Sequence, residues 1–253
     1  MLIAHLSDSH ISLGGPTDQE RLTVLDACVA AINDLESPPD LVVHTGDVVH
    51  NGTAAEYAAA SGILGKLKAP LRVIPGNKDT RSGLRQAFEK ASGPRECDGF
   101  VQFAEDFERI RCIFLDTKSD TSNKGIMCAD RIAHFEQSAA HSGLATLVFM
   151  HHPPFDVWTA PEPFQFEERC NADQVFATLE KHSARTMLVA GHIHRPWAER
   201  RGEIELRSVT ALARDLRKGE ELAEMASEGF YVLYRIEAGG DITSELRRLQ
   251  VPG

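Results

Sequence analysis

Five short stretches of this 253-residue chain place carboxylate, imidazole and amide groups directly after apolar runs. They read Asp8-Ser9-His10, Gly46-Asp47, Gly76-Asn77-Lys78-Asp79, His151-His152 and Gly191-His192-Ile193-His194. Taken singly, an aspartate after a strand is a helix cap or turn residue, and a lone histidine is a hydrogen-bonded structural residue. Five such ends in succession, almost free of Lys, Glu and Arg, form a donor set. Imidazole with carboxylate and an amide carbonyl suits Zn, Mn or Fe better than Ca or Mg. Asp8, His10, Asp47, Asn77, His151, His192 and His194 give seven donors, more than one ion needs. They fit two four-coordinate ions if one carboxylate bridges. Two ions about 3.5–4 Å apart form a clamp for phosphoryl displacement.

The elements that must position these residues alternate. Strands are predicted over Leu2–Leu6, Leu41–Thr45, Leu71–Ile74, Thr146–Met150 and Thr186–Ala190. Each runs into one of the five stretches. Helices are predicted over Glu20–Leu35, where Leu22, Leu25, Val29 and Ile32 follow helical spacing, and over Ala54–Leu67, Arg81–Lys90, Arg131–His141 and Ala172–His182. Such alternation means βαβ units and a buried, largely parallel core. Ligands of such sheets bind beyond the carboxyl ends of the strands, so the five stretches are expected on one rim. Further strands, Phe100–Ala104, Ile110–Leu115 and several in Trp197–Glu245, lack intervening helices. They are expected to form antiparallel edges or a second sheet. A charged stretch, Arg214–Glu228, interrupts the last of them. With no low-complexity linker and no internal repeat, residues 1–253 read as one domain.

Composition narrows the classes. A net charge of −10 argues against a broad basic face for polymeric nucleic acid. No apolar run is long enough to span a membrane. The opening MLIAHLSDSH lacks the basic segment of a signal peptide, so the expectation is a cytoplasmic protein. Cys28, Cys97, Cys112, Cys128 and Cys170 are scattered and form no CxxC, which disfavours both a disulfide framework and a thiolate zinc site.

In order and spacing, Asp8-x-His10, Gly46-Asp47, Gly76-Asn77, His151 and Gly191-His192-x-His194 resemble the signature of the calcineurin-like metallophosphoesterases. The resemblance spans residues 8–194. With "HHPP" at 151–154, "FLDT" at 114–117 and "GHIH" at 191–194, it is closest to class III cyclic-nucleotide phosphodiesterases and glycerophosphodiesterases. It implies a four-layer αββα sandwich of two mixed β-sheets flanked by helices. It also implies roles: Asp8, His10, Asp47 and His194 on a first metal, Asp47 bridging, and Asn77, His151 and His192 on a second. A bridging hydroxide would attack phosphorus in line. Small phosphodiesters, nucleotides among them, would be substrates, and a homodimer would fit. A nucleotide-lipid pyrophosphatase is the alternative, suggested by the cation after Asn77 and by His194-Arg195-Pro196. A non-catalytic scaffold would have lost ligands that are all present here.

The chain departs from that family at Lys78, where the usual residue is a histidine that contacts phosphate and assists the leaving group. A lysine can clamp a phosphate oxygen or act as an acid, or it points to solvent and the family's step is lost. Asp79 either orients Lys78 or caps the helix that follows. His152 reads as a support or phosphate contact, or as structural. His5, His44, His50, His134, His141 and His182 match no motif position and read as structural or surface residues. The long connection Phe155–Cys170 carries Phe155, Trp158, Phe164 and Phe166. These rings either wall the site for a nucleobase or cover apolar core or a dimer contact.

Overall fold

The structure, a computed structural model, describes residues 1–94, 97, 99–140, 144–182, 185–218 and 227–251. Among the described residues, eleven strands form two sheets. The first has five strands in the order β11 (Ile242–Gln250), β10 (Glu228–Ile236), β1 (Leu2–Leu6), β2 (Leu41–His44) and β3 (Leu71–Val73). The second has six: β4 (Phe103–Phe107), β5 (Ile110–Leu115), β6 (Ala145–Met150), β7 (Thr186–Ala190), β9 (Ile204–Ser208) and β8 (Trp197–Arg201). β1, β2 and β3 run parallel, as do β5, β6, β7 and β9. The helix-free strands β4, β8, β10 and β11 are the antiparallel partners, as their lack of crossovers requires.

The period-2 alternation of side chains sorts the second sheet into two faces. Cys112, Phe114, Leu147, Phe149, Met187 and Val189 pack in the same core as the first sheet. Their neighbours Ile113, Leu115, Val148, Met150, Leu188 and Ala190 pack against Phe135 of α4 (Ala129–Ala139) and Val175 and Leu179 of α5 (Arg169–His182). On the other side α1 (Asp18–Asn33) and α2 (Ala54–Leu64) bury Val24, Leu25, Cys28, Tyr57 and Leu64 on the first sheet. The result is four layers, helix–sheet–sheet–helix. Phe103, Phe114 and Phe149 stack across β4, β5 and β6 with ring centroids 4.6 and 5.4 Å apart, filling the space between the sheets.

Element ends differ from expectation where side chains intervene. The strand predicted from Phe100 begins at Phe103, because the Asp116 carboxylate takes the Val101 N–H at 3.0 Å. α3 (Arg81–Ala87) stops short of Lys90. Residues 219–226 of the charged stretch, and His141, lie outside the described residues. The five cysteines are free. No helix among the described residues is long and apolar enough to cross a membrane.

Candidate metal centre

The five stretches meet beyond the carboxyl ends of β1, β2, β3, β6 and β7. Backbone hydrogen bonds stitch the β1 and β2 extensions together: Asp8 N–H to Gly46 O at 3.0 Å, His10 to Asp47 at 2.9 Å and Ile11 to Val48 at 3.0 Å. Gly191 N–H donates to His151 O at 3.0 Å across β6 and β7. Among the described residues, the non-glycine positions with positive φ are Asp8, His10, Asp47, His192 and His194. Each pays for a left-handed conformation with about 1 kcal/mol or more. That all five are predicted donors ties the strain to the site. The glycines before them make the approach possible. A Cβ on Gly76 would overlap Asp47 Oδ1, and one on Gly191 would sit 2.6 Å from Asp8 Oδ2.

Asp8, His10, Asp47 and His194 form one group with ligand atoms within 4.8 Å of one another. Asp8 Oδ1 lies 3.2 Å from His194 Nε2. His10 Nε2 lies 3.2 Å from His194 Nε2 and 3.4 Å from Asp47 Oδ2. The same Asp47 oxygen lies 3.6 Å from His151 Nε2, while Asp47 Oδ1 accepts the Lys78 N–H at 2.7 Å. One carboxylate oxygen of Asp47 therefore faces both groups.

The second group is built from lone pairs. His151 Nδ1 donates to the Thr45 carbonyl at 2.8 Å, so the neutral ring presents a bare Nε2. His192 Nε2 donates to Gln165 Oε1 at 2.9 Å, so its Nδ1 is bare. Asn77 Nδ2 donates to Asn123 Oδ1 at 3.3 Å, which turns Asn77 Oδ1 inward. That oxygen lies 3.2 Å from His151 Nε2 and 3.0 Å from His192 Nδ1. Three acceptors facing one another without a proton between them are the donor arrangement of a cation. On the first group, His194 donates Nδ1–H to Leu216 O at 2.8 Å, which leaves its Nε2 toward Asp8. For His10 to present a bare Nε2 it must donate Nδ1–H to His50 Nδ1, 3.3 Å away.

The charges agree. Burial holds the imidazoles of His10 and His151 below their ordinary pKa, and burial with His151 pushes His192 down to about 3. Neutral imidazole is the ligating form. Burial pulls His194 down too, but its ion pair and hydrogen bond with Asp8 outweigh that and raise it, so an ion bound there would have to displace the Nε2 proton. Burial raises Asp8, yet His194, His151 and His10 together bring it well below the carboxylate range. Burial and the neighbouring Asp8 push Asp47 up to about 8. Two carboxylates this close and this buried are stabilised by cations between them.

Three other predicted residues take different places. Asp79 does not cap α3. It is buried and accepts from Gly76 N–H at 2.9 Å, Val48 N–H at 3.2 Å and Tyr57 O–H at 3.1 Å, bracing the β2 and β3 extensions. The cap is Thr80, whose hydroxyl accepts from Gly83 N–H. His152 lies beside His151 and His192, but Nδ1 accepts from Thr117 O–H at 2.8 Å and Nε2 donates to Asn123 O at 3.1 Å. Both nitrogens thus have protein partners here, although one of them lies within 4.8 Å of the ligand nitrogens of His151 and His192. Lys78 is half-buried, and its charge reaches Asp47, His192 and His50. In the aromatic connection, Phe155 and Phe166 are core residues and Phe164 lies under the Arg169 guanidinium, whereas Trp158 is exposed. Gln165, Asn123 and His50 are the orienting partners that sequence reasoning missed. Only His50, three residues after Asp47 on the same turn, offered a signal by proximity.

Known proteins bear the same stamp. The profile described as calcineurin-like phosphoesterase matches residues 1–196. A glycerophosphodiester phosphodiesterase, GpdQ, from Enterobacter lignolyticus is 30% identical over 207 residues, covering 77% of this chain and 71% of that one. The 3′,5′-cyclic adenosine monophosphate phosphodiesterase CpdA from Pseudomonas aeruginosa is 26% identical, over 81% of this chain and 74% of its own. In fold, a dimetal phosphatase from Danio rerio superposes with a TM-score of 0.76 at 11% identity, covering 100% of this chain and 99% of that one. With donors, strained turns and glycines all falling inside the matched span, the chain belongs to the calcineurin-like phosphoesterase family.

Proposed function

We propose that this protein is a dinuclear metal-dependent phosphodiesterase acting on small phosphodiesters of the cyclic-nucleotide or glycerophosphodiester type. The observation that carries it is Asp47 Oδ2, shared at 3.4 and 3.6 Å between His10 and His151. The donor set fits two ions of the Mn, Fe or Zn kind. Asp8, His10, Asp47 and His194 would hold one, and Asp47, Asn77, His151 and His192 the other. Bound there, such ions acidify water and neutralise phosphoryl oxygens.

The chain's own residues do the rest. Thr45 O, Leu216 O and Gln165 fix the tautomers of His151, His194 and His192, so each imidazole turns one lone pair inward. Lys118 holds the Asn77 turn by donating to Asn77 O at 3.2 Å. Lys78 supplies the positive charge that meets a phosphate oxygen at the mouth. Arg195, one of the two features behind the pyrophosphatase alternative, directs its guanidinium to the Thr159 carbonyl.

The test is reconstitution of the chelator-treated protein with Mn²⁺, followed by metal analysis and a hydrolysis screen. The screen compares bis-aryl and mono-aryl phosphates, 2′,3′- and 3′,5′-cyclic nucleotides, glycerophosphocholine and a UDP-sugar lipid. Two ions per chain and preferential cleavage of small diesters are expected. No bound metal, or cleavage of monoesters or the lipid pyrophosphate alone, would sink the reading.

A further inference from the structure

Between the two sheets, in the apolar core, runs a row of buried polar side chains that the chemistry above does not use. Tyr234 of β10, His5 of β1, Thr45 after β2 and Ser7 after β1 are each no more than 2% exposed. The row ends on Asp8. Its last link is Ser7 Oγ to Asp8 Oδ2 at 2.5 Å. Before it come Thr45 Oγ1 to Ser7 Oγ at 2.8 Å, His5 Nε2 to Thr45 Oγ1 at 2.8 Å and Tyr234 OH to His5 Nδ1 at 3.3 Å.

The carboxylate end fixes every proton in the row. Ionised Asp8 only accepts, so the Ser7 hydroxyl donates to it. Ser7 Oγ then takes the Thr45 proton, and Thr45 takes the His5 Nε2 proton. His5 Nδ1 is left bare and accepts from Tyr234. Four donors thus point one way, each polarising the next. The far side of Thr45 matters equally, because its carbonyl receives His151 Nδ1–H at 2.8 Å. One residue therefore joins the row to both halves of the centre.

Packing alone does not account for the row. Phe149 lies against both His5 and Tyr234, with ring centroids at 5.5 and 6.3 Å. Apolar residues of similar shape would fill such a place with little loss, since paired buried polar groups contribute little net stability.

We propose that the row Tyr234–His5–Thr45–Ser7 is a positioning device for the metal centre. It sets which Asp8 oxygen faces His10 and His194 and holds the Thr45 carbonyl on His151. His5 and Thr45 are its positioning residues. This rests on the metal-centre reading given above.

The experiment titrates Co²⁺ into the chelator-treated full-length protein, following heat and visible absorption. Thr45→Val, nearly isosteric, and His5→Leu should weaken Co²⁺ binding about tenfold or more and alter the absorption band. His5→Gln, which can donate at one end and accept at the other, should recover most of the affinity. Ile3→Val thins the same core beside Tyr234 but removes no hydrogen bond of the row, and should bind as wild type does. Wild-type affinity and spectrum in both Thr45→Val and His5→Leu would overturn the proposal, as would an equal loss in Ile3→Val. If wild-type protein took up no Co²⁺, the metal-centre reading would fall, and this one with it.

Discussion

Lys78 is the residue proposed to decide which leaving groups the centre can handle. It stands in the turn that carries Asn77, and its charge acts on Asp47 and His192. If it helps the departing oxygen, Lys78→Ala should lower kcat on alkyl diesters by about 100-fold and on nitrophenyl diesters far less. Equal losses on both would leave only an electrostatic hold on phosphate. The seven donors were legible because each chemistry demands a residue type at a strand end. Gln165, Asn123 and His50 were not, because orienting a ring needs only some acceptor at the right place. The capping role offered for Asp79 fell to Thr80 for a related reason. The neighbours of Asp79 in sequence are Lys78 and Thr80, but its partners Val48 and Tyr57 come from the preceding crossover.

At the scale of elements, glycine sets how closely the extensions approach. Gly76→Ala would drive a methyl group into Asp47 Oδ1 and to 2.7 Å from His151 Cε1. The loop must shift, so metal binding should fall at least about tenfold, with about 1–3 kcal/mol lost from stability. Unchanged Mn²⁺ affinity by calorimetry would refute this. Gly62, inside α2, has open space where a Cβ would go, with no neighbouring atom within 4 Å. Gly62→Ala should therefore raise stability by about 0.5–1 kcal/mol through helix propensity, read as a higher urea midpoint. Helices and parallel strands were legible from periodicity. The start of β4 was not, because an apolar Phe100-Val101 looks like strand until Asp116, fifteen positions on, captures an amide.

Across the whole molecule, buried histidines make the fold sensitive to acid. Burial first, and His44 next, push His5 down to about 3; burial pushes His44 down to about 4. Both lie below the ordinary value of 6.5, so the unfolded chain takes up protons that the folded one refuses. Stability from these groups is present above about pH 6.5 and is lost as pH falls toward the folded values. In chelator-treated protein, His5→Gln should lose about 2 kcal/mol less than wild type between about pH 7 and 4.5. Parallel urea midpoints for the two proteins would contradict it. Alternation of elements foretold βαβ units, and the family signature foretold two sheets. That β10 would lie beside β1 was beyond local pattern, since the pairing of Ile3 with Tyr234 joins opposite ends of the sequence.

That pairing also imposes an order on synthesis. A ribosome that has released the chain only as far as His194 has delivered every donor. It has not yet delivered the Leu216 carbonyl that steadies His194, nor Leu212 and Ala213, whose amides clasp Ser7 and Asp8, nor the strand that flanks β1. Ion capture would thus wait until β10 has emerged, and an arrested chain ending just past His194 should hold metal no better than a loose peptide.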